Sequence, residues 1–192
     1  MIVVAIIGIL AAIAIPNFIR FQARSKQGEV KANLKALFTA QRAYYQEKDA
    51  FVNTINDIGF NPERGNRYGY ANGSLATTQI RSALLQVSAT TDTAVEVDTF
   101  KFAQAVTRPV GTFTAVTFSA NGIADPGAPG IGGTCPTCNF MGYAAGNIDQ
   151  DTNLDSWTIS SKDASYVAAC GNTDVAAPAG TPFNTYNDVT CP

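Results

Sequence analysis

The sequence predicts an α+β fold, a long N-terminal α-helix whose C-terminal half packs on an antiparallel β-sheet globular domain. Three observations carry that expectation. Met1 to Ile15 hold no charge and no polar side chain. From Val30 onward the apolar residues fall every three or four positions. Beyond Val95, short runs rich in Val, Thr and Phe alternate with Gly, Pro and Asn clusters.

The opening run is Ile, Val, Leu and Ala, broken only by Gly8, and Arg20 is the first charge. At 1.5 Å per residue, Met1 to Ile15 covers only about 22 Å, short of the roughly 30 Å of a bilayer core. The chain is therefore expected to start late, with apolar residues missing upstream. Val30, Leu34, Leu37/Phe38, Gln41, Tyr44/Tyr45 and Phe51 then mark one helical face. Glu29, Lys31, Lys35, Arg42, Glu47 and Lys48 occupy the other. Good helix formers dominate from Gln22 to Lys48. Residues 1–48 thus read as one rod of roughly 70 Å. Its first part, 1–19, is apolar all round and suits a membrane or copies of itself. Its second part, 20–48, is amphipathic and suits a globular domain.

Residues 49–94 carry Gly59, Asn61-Pro62, Gly65, Gly69 and Gly73 and read as a connecting loop, with a short turn at Asn56–Phe60. Strand candidates are Ala83–Ser88, Val95–Thr99, Thr112–Ser119, Cys138–Ala145 and Leu154–Ser160. Asn121-Gly122 and the Pro/Gly cluster from Asp125 to Gly133 read as turns, and Ala176 to Thr185 as a loop. Residues 95–192 therefore form the sheet and a C-terminal cysteine-bearing region. The sheet needs a cover, and the amphipathic helix supplies one.

The net charge of −2 argues against a dedicated nucleic-acid site. Through Phe60 there are seven basic and four acidic residues, and the rest of the chain has six and eleven. A basic helix beside an acidic domain suits assembly of copies. Without histidine no Ser/His/Asp constellation is possible, and no phosphate-binding glycine loop or haem motif occurs. No enzyme activity and no cofactor are expected. The aromatics Phe18, Phe21, Phe38, Tyr44, Tyr45 and Phe51 could suggest electron transfer, but helical spacing explains them as packing.

Cys135, Cys138, Cys170 and Cys191 favour an oxidising location and structural disulfides, with three pairings open. Zinc is disfavoured because Cys170 and Cys191 are isolated. A redox Cys-x-x-Cys is disfavoured because Cys135 and Cys138 sit in a glycine-rich loop before a strand. Arg20, Arg24 and Lys26 pull the other way, since the positive-inside rule would leave the domain in the cytoplasm. Asp149, Asp151, Asn153 and Asp155 resemble the start of a calcium loop. Leu154 and Ser160 stand where an EF-hand needs Gly and Glu, so a solvated turn is the plainer reading. Asn72-Gly73-Ser74 is a glycosylation sequon by pattern only.

The order Met1-Ile-Val-Val-Ala-Ile-Ile-Gly-Ile-Leu-Ala-Ala-Ile-Ala-Ile-Pro16, with Asn17-Phe18 and Gln22 to Ser25, resembles the N-terminal segment of class a type IV pilins. Asn33 to Tyr70, with Leu-Lys-Ala-Leu and Asn-Pro-Glu-Arg-Gly-Asn-Arg-Tyr-Gly-Tyr, is similar to the myxobacterial type of major pilin. The first block is shared with minor pilins and with pseudopilins of type II secretion. The family's mature chain begins with a methylated Phe and a short Thr-Leu-Ile-Glu-Leu stretch before this Met. Its Glu, which meets a neighbour's N-terminal amine, therefore corresponds to no residue here.

The resemblance implies the type IV pilin fold and a structural role. The subunit would be anchored in the inner membrane, then polymerised with copies of itself into a helical extracellular pilus by a separate assembly machinery. It implies a domain outside the cytoplasm, the basic leader having been removed. It implies a filament core of Ile2, Val3, Ile6, Ile7, Leu10, Ile13 and Phe18, and a helix that unwinds between Gly8 and Pro16. It also implies a C-terminal Cys170–Cys191 disulfide, which leaves Cys135 with Cys138. Residues 49–94 would be the family's αβ loop. Twitching motility, adhesion and DNA uptake are the usual outputs. Two alternatives are a type II secretion pseudopilin and a secreted binding domain or thiol oxidoreductase cleaved near Ala12-Ile13-Ala14.

Overall fold

A computed structural model describes residues 2–73, 77–84, 88–102, 129–148 and 153–191. The first element, α1 (Ile2–Lys48), is a single helix that carries Pro16 in its interior. Its buried residues are Ala23, Gln27, Val30, Leu34, Leu37 and Gln41, all C-terminal to the apolar run. That face is the three-or-four period of the sequence, Gln41 included, extended N-terminally to Gln27 and Ala23. The helix ends at Asp49, which turns into the left-handed region (φ 52°) and donates its N–H to Tyr45 O at 2.9 Å. Asp tolerates that conformation better than most residues.

The strands, in chain order, are β1 (Gly69–Ala71), β2 (Thr78–Gln79), β3 (Ala94–Val95), β4 (Gly130–Gly132), β5 (Asn139–Gly146), β6 (Asp155–Ser160), β7 (Ala164–Ser165), β8 (Ala176–Ala177) and β9 (Phe183–Tyr186). The main sheet runs β2-β3-β1-β5-β6-β9, with β4 also on β5. β7 and β8 form a separate pair. The long partners β5 and β6 are antiparallel, with Tyr143 opposite Thr158 and Ala144 opposite Trp157.

Several sequence expectations are corrected. The sheet is mixed, because β2 pairs with β3 in parallel, Thr78 opposite Ala94. The loop of residues 49–94 contributes β1 and β2. β1 escaped detection because its three residues are buried on both faces and show no alternation. The alternation from Val95 to Thr99 yields only Ala94–Val95 as strand. Glu96 and Asp98 are buried rather than solvent-facing, since Arg81 N donates to the first and Arg64 pairs with the second. Part of the 125–133 turn cluster is the strand β4, and the 176–185 loop contains β8 and most of β9. Pro178 and Pro182 lie between those strands, where a missing N–H removes no ladder bond. Residues 83, 84 and 88 are not strand, while 85–87, 112–119 and 121–122 lie outside the described residues.

The core forms where α1 crosses the sheet: Val30, Leu34 and Leu37 meet Tyr68, Tyr70, Phe140, Ala144, Trp157 and Ile159. Two glycines permit the approach. A Cβ on Gly142 of β5 would lie 2.7 Å from Leu37 Cδ2. One on Gly180, which also needs φ +70°, would lie 2.5 Å from the Phe38 ring.

Candidate assembly interface

α1 presents two different surfaces. Its front half is left uncovered by the described residues: Ile2, Ile6, Ile7, Leu10, Ile13, Phe18 and Phe21 are all more than half exposed. Val3 is exposed likewise, and the most apolar 18-residue window of the helix is 0% buried in the chain. By length and composition this segment can cross a membrane. Covering each such side chain is worth about 1.5–3 kcal/mol, so even half a dozen give on the order of 10 kcal/mol towards a lipid or a neighbouring helix. Singly exposed apolar residues are ordinary, but a continuous stripe of them marks an interaction surface.

The rear half is locked to the domain by polar bonds as well as core contacts. Asp155, fully buried at the start of β6, is the centre of one cluster. Its Oδ1 accepts from Gln27 Nε2 at 3.0 Å and from Asn184 Nδ2 at 3.2 Å. Its Oδ2 accepts from Tyr68 Oη at 2.7 Å and from Trp157 Nε1 at 2.6 Å. Burial raises the Asp155 carboxyl above its ordinary range, against the opposing pull of those four donors. Gln27 also donates to Asn187 Oδ1 at 3.1 Å, which ties the helix to the C-terminal segment.

A second cluster holds the other end. Gln41 Nε2 donates to Asn72 Oδ1 at 2.6 Å and to Val52 O at 2.5 Å, and Asn72 Nδ2 donates to Val52 O and Asn53 O, both at 2.9 Å. Between them, Glu29 accepts from Arg67 N at 2.9 Å, and Asn33 donates to Tyr70 Oη at 2.8 Å. Arg81, fully buried, donates to Asn61 and Asn66 side chains and to the Pro62 and Glu63 carbonyls. It thereby staples the segment before β1 to β2.

The structure joins Cys170 to Cys191 and Cys135 to Cys138. The first closes a loop that holds Asn187 against Gln27, since Asn187 N donates to Cys170 O and Cys191 N to Asn187 O. In the chain-entropy account, a loop of this length contributes about 3 kcal/mol. C170S/C191S in detergent is expected to melt about 6–12 °C lower than the parent chain. An unchanged melting temperature would show that the loop is held by its hydrogen bonds alone.

Two sites flagged by the sequence find no support among the described residues. Asp155 is committed within the protein, its oxygens accepting from four side-chain donors and, at 3.4 Å, from Asp188 N. Asp149 and Asp151 lie outside the described residues, and Asn153 has interactions within the protein. Among the described residues no cluster of His, Cys, Asp or Glu suits a metal. Asn72 of the sequon is only 1% exposed, and its amide is committed to Val52 and Asn53. The anchoring residues Gln27 and Arg81 escape sequence reasoning, which places Gln41 on the right face without a role and gives Asp155 a different one. Both glutamines sit on the apolar period, one turn from Val30 and Leu37, and that position was the available signal.

A free apolar helix half, continuous with a half seated on a mixed sheet, defines a subunit that assembles through its helix. Comparison with known proteins agrees. The family described as "Type IV pilin PilA" matches residues 21–155. The Type IV major pilin protein PilA of Myxococcus xanthus (strain DK1622) is 46% identical over 198 aligned positions, covering 100% of this chain and 90% of that protein. The chain belongs to the type IV pilin family and is a structural subunit of the pilus, anchored by its apolar helix and then carried in the extracellular fibre.

Proposed function

We propose that this chain is the major subunit of its pilus, held in the inner membrane before a separate machinery assembles it. The observation that supports this most is the apolar front half of α1, which the described residues of the single chain leave uncovered. In the membrane that face meets lipid, and in the fibre it meets the same face of neighbouring copies. The core would consist of Ile2, Val3, Ile6, Ile7, Leu10, Ile13 and Phe18. The Cys170–Cys191 and Cys135–Cys138 bonds suit a domain outside the cytoplasm. The rank of the Myxococcus xanthus relative as a major pilin supports the same rank here.

Gly8 and Pro16 mark the segment that unwinds on passing from membrane to fibre. Proline costs about 3 kcal/mol in a helix interior and glycine about 1 kcal/mol. Neighbouring copies can offset that loss by packing. Motility, adhesion and DNA uptake are the outputs to assay.

The test is a strain lacking the assembly ATPase. The full-length chain should then accumulate in the inner membrane, with its domain open to protease added to the periplasm. Recovery of the pool in the cytoplasm, or as soluble protein cut near Ala14, would defeat the reading. Nothing observed favours the pseudopilin or the secreted binding domain.

A further inference from the structure

The outward side of α1 carries a feature that the pilin reading does not use. Arg20, Arg24, Lys31, Lys35 and Arg42 are all exposed. Their spacing steps by four and seven residues, so at about 100° per residue they share one edge of the helix and run about 33 Å along it. Beside this row, and opposite the buried face, lie Ser25, Gly28, Ala32, Ala36 and Ala43, also exposed. A Cβ at Gly28 would have nothing within 4 Å. This small-residue strip continues the line of Phe18 and Phe21, which are 61% and 71% exposed.

Among the described residues the ion pairs are Lys48–Glu47 and Arg64–Asp98, and neither takes a member of the row. Lys31 and Lys35 do lean on their own domain, Lys31 over the Trp157 ring at 5.0 Å and Lys35 donating to Gly180 O at 2.8 Å. Arg42 rests over Tyr45 at 6.0 Å. Among the described residues, five cations thus stand in register without a paired carboxylate. The domain of the same chain presents exposed Asp57, Glu63, Asp163 and Asp174. Beyond Phe60 the sequence has eleven acidic against six basic residues.

We propose that the row Arg20, Arg24, Lys31, Lys35 and Arg42 docks against the acidic domain surface of a second copy of this chain. The proposal rests on the filament reading, for a specific reason. Copies that cover the apolar front half lie alongside the helix. The front half runs without a break into the row, so the neighbour's chain continues past it. The small-residue strip lets that neighbour approach closely, and the cations meet its carboxylates. Attraction of this kind sets register between copies more than it adds gross affinity. It also weakens with salt, since the screening length falls from about 10 Å at 0.1 M to about 3 Å at 1 M.

The experiment uses the full chain in cells, with R24Q/R42Q chosen because neither arginine hydrogen-bonds the domain. Sheared filament is expected to fall about tenfold while the cellular pool of subunit is unchanged, as the loss recurs in every copy. R24K/R42K should restore it. Isolated parent filaments should come apart at a lower temperature in 1 M than in 0.1 M salt, and the remaining R24Q/R42Q filaments should lose most of that difference. Variant filaments with normal yield and unchanged salt response would overturn the proposal alone, leaving the row a solvated edge. Loss of the variant from the membrane fraction, with filament per membrane-bound subunit unchanged, would assign the row to anionic lipid and overturn it too. Absence of filaments from the parent chain would instead sink the pilin reading beneath it.

Discussion

Ile7→Lys abolishes surface filaments and leaves the domain folded. Ile7 is 60% exposed in the middle of the apolar half of α1 and lies sixteen residues before Ala23, the first helix residue in the domain core. A lysine at the centre of a membrane helix costs about 2.5–3.5 kcal/mol on insertion scales. At 1.4 kcal/mol per factor of ten, that is a loss of about a hundredfold for one subunit, and a filament repeats it in every copy. I7L, which keeps the apolar volume, should assemble normally. Electron microscopy of sheared material and immunoblots of whole cells separate lost assembly from lost protein. I7K filaments in normal number would mean that the apolar half of α1 is not the polymerising surface.

Asp155→Ala is expected to unfold the seat of α1 on the domain. It leaves Tyr68 Oη, Trp157 Nε1, Gln27 Nε2 and Asn184 Nδ2 without their shared acceptor. Asn184 keeps bonds to Ser156 O at 3.3 Å and Tyr186 O at 3.1 Å, and Gln27 keeps Asn187 Oδ1 at 3.1 Å, so Tyr68 and Trp157 suffer most. Each buried donor left unmade costs about 1–3 kcal/mol, which puts the total at about 3–6 kcal/mol. For a domain of this size that is a fall of roughly 10 °C or more.

Asp155→Asn is milder and isolates the charge. Burial raises the native Asp155 carboxyl above its unfolded value of about 3.9. The folded state therefore holds that proton more tightly than the unfolded chain. Its contribution is full below the unfolded value and declines as pH rises through the raised native one. Urea unfolding across that interval should show the parent losing stability relative to D155N as pH rises. The opposite slope would mean that the four donors outweigh burial and hold the carboxyl down.

Much of this was legible in the residues, for physical reasons. The apolar run and the three-or-four spacing from Val30 to Tyr45 are strong periodic signals, and they place α1 and its two environments. β5 and β6 were also readable, being long enough to carry pattern between turn residues. β1, β2 and β3 were not, because two or three residues cannot display a period. The acids at 96 and 98 misled in a specific way. Alternation with Val95 and Val97 places them outside, yet Arg64 and Arg81 come from distant loops to cover them. Asp155 misled in the same sense, since its row of nearby acids suggested solvent or calcium. Only the fold brings Gln27, Tyr68 and Asn184 to one carboxylate.

The most direct measurement is a near-atomic cryo-electron microscopy map of filaments sheared from cells expressing the full gene, with mass spectrometry of the subunit. The account predicts fibres built mainly of this chain, with Ile2, Ile6, Leu10, Ile13 and Phe18 of adjacent copies packed about the axis. It also predicts interrupted helical hydrogen bonds between Gly8 and Pro16. Fibres built of another protein, or a core that excludes these residues, would contradict it.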